Sequence, residues 1–545
     1  MTDSPAFTRN AASPATWWLA ALAVHALLLI PIFVSDMPPL VDLPNHLARS
    51  IVLADGGKSP NLHSMFEIGW GITPNLAIDA IVPPLIPLVG SMTAVKIYVA
   101  AVILVSTSGA IALNVAIFGQ LTLWPLLVGL AAYNVLFLMG FLNFQFAIGL
   151  ALWASAAWIW MAPRRPIAAV LVGVVSGIVI FFCHLFGFAL YCMLIGSFEA
   201  GSLLRLGLDR RLTVRFFAAR AAAIGVTVLV PFLLYVLSPF NKTGGTVVWL
   251  SFKRKAALLS APLLTYSLVL TVVSLALVLC AVLWLAVRRN LQVVAWSWLV
   301  LAVLGGLYVV LPVGAKGGYW IDTRIPVIVG FVFFAVTLPR DTRSRPYKLV
   351  LATLAALLVV RTASIAQVWN SANQDIRDAR AVLHDVTPKS RVFVVDASPP
   401  FSLDGVHTPT PAGALPLDLP RFYWHFGAFA MIDEQAFWST VFAIRGQQPI
   451  TVRPPYDLST DAGLSPPPGP EYLTLPPTGR PGVVIPEFIR TWQNTFDYVL
   501  FVGVQDGFAL DQGLRDQLKM LDRHGSYALY AVLDQSGAPR VAPSR

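Results

Sequence analysis

Apolar runs close to the roughly 20 residues that a helix needs to cross a bilayer recur from Trp17 to about Ala366 and then stop. They fall at 17–35, 93–118, 121–139, 143–161, 167–183, 185–203, 217–238, 263–287, 291–313, 321–338 and 347–366, giving eleven expected spans. One further apolar segment, Leu76–Val89, contains Pro83, Pro84 and Pro87. Proline removes helix hydrogen bonds that lipid cannot replace, so this segment is expected to lie at the interface without crossing. Beyond Ala366 the pattern changes: Arg391–Asp396, Phe496–Val502 and Tyr527–Val532 read as buried strands, and Leu510–Leu521 as an amphipathic helix. The expected fold is an α-helical polytopic membrane protein over residues 1–366, with a long first outer loop at 36–92, followed by a soluble α/β domain at 367–545.

Composition agrees with a chain that water alone does not fold. Hydrophobic residues make up 57% and charged residues 12%, with a mean hydropathy of +0.70, far from a soluble globular protein. The run Trp17–Ser35 is long and is followed by no small-x-small cleavage site, so it reads as a retained first helix rather than a signal peptide. The three cysteines, Cys183, Cys192 and Cys280, lie inside apolar segments with no metal-ligand spacing and are expected to be core residues.

The net charge of +10 changes the picture through its placement. The basic residues stand in short clusters between apolar runs rather than on one arm or face, so nucleic acid is not an expected partner. Cytoplasmic loops are enriched in Lys and Arg, and the clusters are Arg164–Arg165, Arg205–Arg215, Arg288–Arg289 and Arg340–Lys348. Eleven spans with the N-terminus inside place all four in the cytoplasm and residues 367–545 outside. A twelfth crossing at Leu76–Val89 would reverse every later loop.

Several charged or polar residues then map to the outer face. The first loop opens with Asp36 and Asp42, followed by His46 and Arg49 at helical i and i+3 spacing from Pro44 onward. A carboxylate at the membrane boundary can take a proton from a hydroxyl or hold a divalent metal, while His and Arg can neutralise phosphate. The plain alternative is that Asp42 caps the helix and Arg49 snorkels to headgroups. Asn143 and His184 stand at two outer turns, and the alternative for His184 is a bond to a neighbouring carbonyl. Trp249 precedes Lys253, Arg254 and Lys255, a basic cluster on the side where the charge rule does not place one, which suits an anionic ligand or plain headgroup contact. Lys316, Asp322 and Arg324 form another turn, in which Arg324 either clamps a phosphate or pairs with Asp322. In the tail, Tyr423-Trp424-His425 could stack on sugars, with core packing the alternative. No internal repeat is evident, which disfavours an inverted-repeat transporter.

This order of features resembles the GT-C superfamily of membrane glycosyltransferases, which includes the protein O-mannosyltransferases and lipid A aminoarabinose transferases. The likeness covers residues 17–366, with Asp36, Asp42 and Leu76–Val89 where that family carries its loop acids and interfacial helix. It departs from the family in lacking an adjacent acidic pair in this loop. The resemblance implies a bacterial inner-membrane enzyme, its N-terminus cytoplasmic and its C-terminal domain periplasmic. It would transfer a sugar from a polyprenyl-phosphate donor to a glycan, lipid or protein acceptor. Asp42, Asp36 and His46 would be catalytic, with Asp36 and Asp42 as ligands of any divalent Mg or Mn ion. Arg49, Lys253, Arg254, Lys316 and Arg324 would hold the donor phosphate, and Asn143, His184 and Asp322 would line the pocket. The competing expectation is a transporter, flippase or assembly factor that binds lipid-linked glycans without transferring them.

Overall fold

The computed structural model describes residues 11–242, 244–398, 415–416, 419–463, 466–474 and 485–541. Among the described residues, eight helices are long and apolar enough to cross a membrane: Pro14–Val34, Ser91–Phe118, Leu142–Met161, Pro166–Cys183, Leu185–Leu208, Val214–Leu237, Leu268–Val287 and Arg345–Val382. Each coincides with an expected span, and three expected spans are not continuous helices of that length. Residues 121–139 form a 3-10 stretch, Trp124–Ala131, and then a single turn, Val135–Leu138. The break is at Asn134, fully buried, whose side chain accepts from Phe137 N, 3.1 Å, and donates to Gln145 Oε1, 2.6 Å. Residues 291–313 and 321–338 shorten to Ser297–Val310 and Arg324–Val336, because Leu291–Val293 and Thr337–Pro339 pair as an antiparallel ribbon. The carbonyls of Phe334, Ala335 and Thr337 at the end of the second accept from the buried amide of Asn114. The proline-bearing segment forms a 13-residue helix, Ala77–Val89.

The chain divides into two compact units. The first contains residues 1–33, 72–77 and 97–366; the second contains 34–71, 78–96 and 367–545. The 38-residue helix Arg345–Val382 carries the boundary within it.

In the first unit, small residues let helices approach closely. A Cβ on Gly149 would lie 2.6 Å from the backbone of Ser106, and one on Gly109 would lie 2.5 Å from Gly149 O. Arg361 is buried within the apolar part of its helix and donates through Nη1 to Leu263 O, 2.7 Å, and Ser274 Oγ, 3.1 Å. Of the cysteines, Cys183 is buried and Cys192 half-buried, but Cys280 is exposed on the surface of its apolar helix. It is not the core residue expected, since an apolar environment around such a helix suits a thiol without burial in protein.

In the second unit, β1 (Phe66–Ile68) from the first loop pairs antiparallel with β4 (Ile450–Val452) of the tail, Glu67 opposite Thr451. The main sheet has five strands: β2 (Arg391–Asp396), β3 (Phe437–Trp438), β5 (Tyr498–Val502), β6 (Leu518–His524) and β7 (Tyr527–Val532), in the order β3-β2-β5-β7-β6. β2 is parallel to both its neighbours, while β5–β7 and β7–β6 are antiparallel. The three expected strands are present. Phe393, Val395, Val499 and Phe501 alternate toward a core that includes Trp492 and Phe496. The helix expected over Leu510–Leu521 is instead one turn, Gln512–Arg515, followed by strand β6. Pairing with β7 overrides a local helical pattern there.

Candidate functional site

The expected site residues fall into two groups, one in each unit. The loop acids belong to the second. There, α1 (Leu43–Asp55) begins with Pro44 in its first turn and ends on Gly56, whose positive φ of 64° closes the helix. Asp42 occupies the capping position and its side chain makes no capping hydrogen bond. Its Oδ1 lies 3.6 Å from Nδ1 of His425, a buried residue in a 3-10 turn, Phe422–His425. Burial pushes the Asp42 carboxyl up to about 8, an effect that nearby Arg49 only partly offsets. Burial also pulls the His425 imidazole down to about 3. At neutral pH the acid and the imidazole facing it therefore form a pair without net charge.

Neighbouring groups fix this geometry. Asn45, fully buried, donates to Thr440 O, 3.0 Å, and accepts from Phe442 N, 2.8 Å, which ties the first turn of α1 to the tail. Arg49 sits one helical turn below His46, as its spacing predicts, and Nη2 lies 3.2 Å from His46 Nδ1. It neither snorkels nor stands free. Its Nε and Nη2 donate to the two carboxylate oxygens of Asp79, 2.6 Å and 3.0 Å, in a pair with almost no solvent exposure, while Nη1 is buried without a hydrogen-bond partner. Asp79, the lone charged residue of its proline-rich helix, thus neutralises the cation expected to hold phosphate. The imidazole of His46 also packs edge-on to Phe442 at 5.5 Å. Asp36 goes elsewhere: its carboxylate meets Arg377 at 2.8 Å on the surface, and its backbone N–H donates to Asn373. Among the described residues no three His, Cys, Asp or Glu side chains converge as metal ligands do, and the two acids expected to share an ion have separate partners.

The first unit holds the other group. Arg324 opens its helix with the guanidinium over the rings of Phe186, Phe141 and Phe144, at 5.0, 5.4 and 5.7 Å. Its Nη1 lies 3.3 Å from His184 Nε2 and its Nη2 donates to Tyr319 O, while Nε is buried without a hydrogen-bond partner. His184 caps its own helix by accepting from Phe186 N, 3.1 Å, rather than bonding to a neighbouring helix's carbonyl. Asn143 is buried and accepts from Tyr98 Oη while donating to Asn75. Asp322, fully buried, faces Lys255 at 3.5 Å rather than Arg324. Lys255 also donates to Tyr308 O and Leu311 O and lies over the rings of Trp249 and Tyr308. Lys316 reaches Asn241 O, Arg254 is half-buried and Lys253 is exposed. An apolar cavity of about 480 Å³ opens in the same unit, lined by Leu130, Leu263, Leu279, Tyr308, Ile325 and Phe333 among others. The chain matches no family model, and the comparisons with curated proteins and solved structures found no match.

Three partners escaped the sequence reading. Asp79 carried a signal, as the single charge in an apolar stretch. Lys255 stood within the basic cluster, but nothing separated it from Lys253. His425 lies 383 positions after Asp42, beyond what periodicity or spacing can join.

Proposed function

We propose that the protein is an integral membrane glycosyltransferase, which takes a sugar from a polyprenyl-phosphate donor and passes it to an acceptor hydroxyl at the periplasmic face of a bacterial inner membrane. The observation that carries this reading is the apolar cavity of the first unit together with the cations beside its lining. Tyr308 lines the cavity and carries the Lys255 ammonium over its ring, and Ile325 lines it directly after Arg324. An isoprenoid chain suits apolar walls, and a phosphate suits a guanidinium whose Nε is buried and unpaired.

Asp42 supplies the base. An acceptor hydroxyl gives its proton to the Asp42 carboxylate as its oxygen bonds to the anomeric carbon. The bond from that carbon to the lipid phosphate oxygen breaks with its electron pair, releasing polyprenyl phosphate. A cation at that oxygen would stabilise the charge gathering on it. A carboxyl that titrates near 8 is about one-tenth ionised at pH 7, so a rate that depends on the carboxylate rises from pH 6 to 8.

The direct test supplies membranes containing the protein with radiolabelled polyprenyl-phosphate sugars. Transfer of label to a membrane acceptor is expected, and Arg324→Leu is expected to raise the KM for donor tenfold or more. Donor binding without transfer, for every sugar tried, would favour the carrier or flippase function instead.

A further inference from the structure

We infer that His425, from the C-terminal segment, is the positioning residue for Asp42, so that the acid of the first loop and the imidazole of the tail work as one unit. This rests on the assignment of Asp42 as the base and adds the residue that orients it.

The geometry points to it in three ways. Asp42 occupies a position where carboxylates ordinarily cap the helix, yet makes no such bond and stands with Oδ1 3.6 Å from His425 Nδ1. That nitrogen is buried and has no hydrogen-bond partner at its present distance, so a small closure gives it its partner. The imidazole is held in place by edge-on packing against Trp438 at 5.6 Å and Phe442 at 5.4 Å. Trp438 is itself locked, since a Cβ on Gly427 would lie 2.5 Å from its Nε1. The Asn45 bonds to Thr440 O and Phe442 N then fix the start of α1 against this aromatic wall.

Besides His425, the charge that acts on Asp42 is that of Arg49. Arg49 holds Asp79 through Nε and Nη2 and keeps Nη1 buried without a hydrogen-bond partner, and His46 Nδ1 faces its Nη2. A neutral imidazole suits both states of the acid: its bare nitrogen accepts from the carboxylic acid, and in the other tautomer its N–H donates to the carboxylate. Of the two, the N–H to the carboxylate holds the base in its working form, and its loss raises the pH at which the acid ionises.

A structural role for His425 is served by any aromatic ring of similar size, whereas a positioning role needs the nitrogen. His425→Phe keeps the packing and removes the nitrogen that faces Asp42; His425→Asn and His425→Gln keep a polar partner. The first readout needs no turnover: full-length protein in nanodiscs is treated with a hydrophobic carbodiimide across pH 5–10, and modification of Asp42 is followed by peptide mass spectrometry. In the wild type modification is expected to fall away with a midpoint near pH 8, and in His425→Phe the midpoint is expected to rise by a pH unit or more. The Asn or Gln variant should return toward the wild type. In the transfer assay, His425→Phe is expected to lower kcat at least tenfold with KM for donor within twofold. An unchanged labelling midpoint in a folded His425→Phe protein would overturn the inference. A shifted midpoint without transfer activity in any form would overturn the proposed reaction while leaving the pair intact.

Discussion

Asp42 and His425 sit 3.6 Å apart in surroundings that disfavour charge on both, and their effects on stability oppose each other. The folded acid keeps its proton up to about pH 8, whereas the ordinary value is 3.8, so from about pH 4 upward Asp42 lowers stability as pH rises. The folded imidazole stays neutral down to about 3 against an ordinary 6.5, so His425 raises stability as pH rises from about 3 to 6.5. Each acts at about 1.4 kcal/mol per pH unit. They cancel between roughly pH 4 and 6.5, and Asp42 alone governs the interval from 6.5 to 8, where stability falls by about 2 kcal/mol. Thermal unfolding in detergent should show this plateau and fall, and Asp42→Asn should remove the fall and uncover a rise below pH 6.5. The Arg49–Asp79 pair makes a second case. Its sequence position suggested an open phosphate ligand, but in the fold each charge is buried against the other. Asp79→Asn strands the guanidinium and is expected to cost about 3–5 kcal/mol, whereas an exposed pair such as Asp36–Arg377 should contribute about 1 kcal/mol or less. Comparing the two alanine or asparagine series by unfolding checks the contrast.

At the scale of elements, what periodicity could reach was legible: eight of the eleven expected spans as helices long and apolar enough to cross a membrane among the described residues, the helix of His46 and Arg49, and the strands Arg391–Asp396, Tyr498–Val502 and Tyr527–Val532. What it missed was set by distant partners. Hydropathy reports composition within a window, so it joined residues 121–139 into one span although buried Asn134 breaks the segment, satisfied by Gln145. It likewise extended two helices into residues that pair as Leu291–Val293 and Thr337–Pro339. Strand β6 looked helical because its pairing with β7 cannot be read locally. The close approach of helices Ser91–Phe118 and Leu142–Met161 rests on glycines that no window of hydropathy singles out. Gly149→Leu would drive a side chain into the Ser106 backbone, and is expected to abolish accumulation of folded protein by fluorescence size-exclusion, whereas Gly225→Leu, with open space around it, should be tolerated.

At the scale of the whole molecule, the sequence divided the chain at one point, near Ala366, while the compact units interleave: the segments 34–71 and 78–96 belong with 367–545. A composition break marks where apolar runs end, but not which distant strand a loop will join, and the pairing of β1 with β4 is such a junction. Topology follows the basic clusters in the proposed reading. Single cysteines at Lys253 and at exposed Leu458 should both react with an impermeant maleimide from the periplasmic side, and labelling from the cytoplasm alone would reverse the orientation. In the proposed reaction a loop carboxyl performs the chemistry, and one substitution tests this most directly. Sugar transfer from a polyprenyl-phosphate donor should be measured with the wild type and Asp42→Asn in the same membranes, with folding and donor binding confirmed equal. The expected result is a fall in kcat of a hundredfold or more, in keeping with the 10²–10⁴ range of general acid–base catalysis; wild-type turnover by the Asn protein would contradict it.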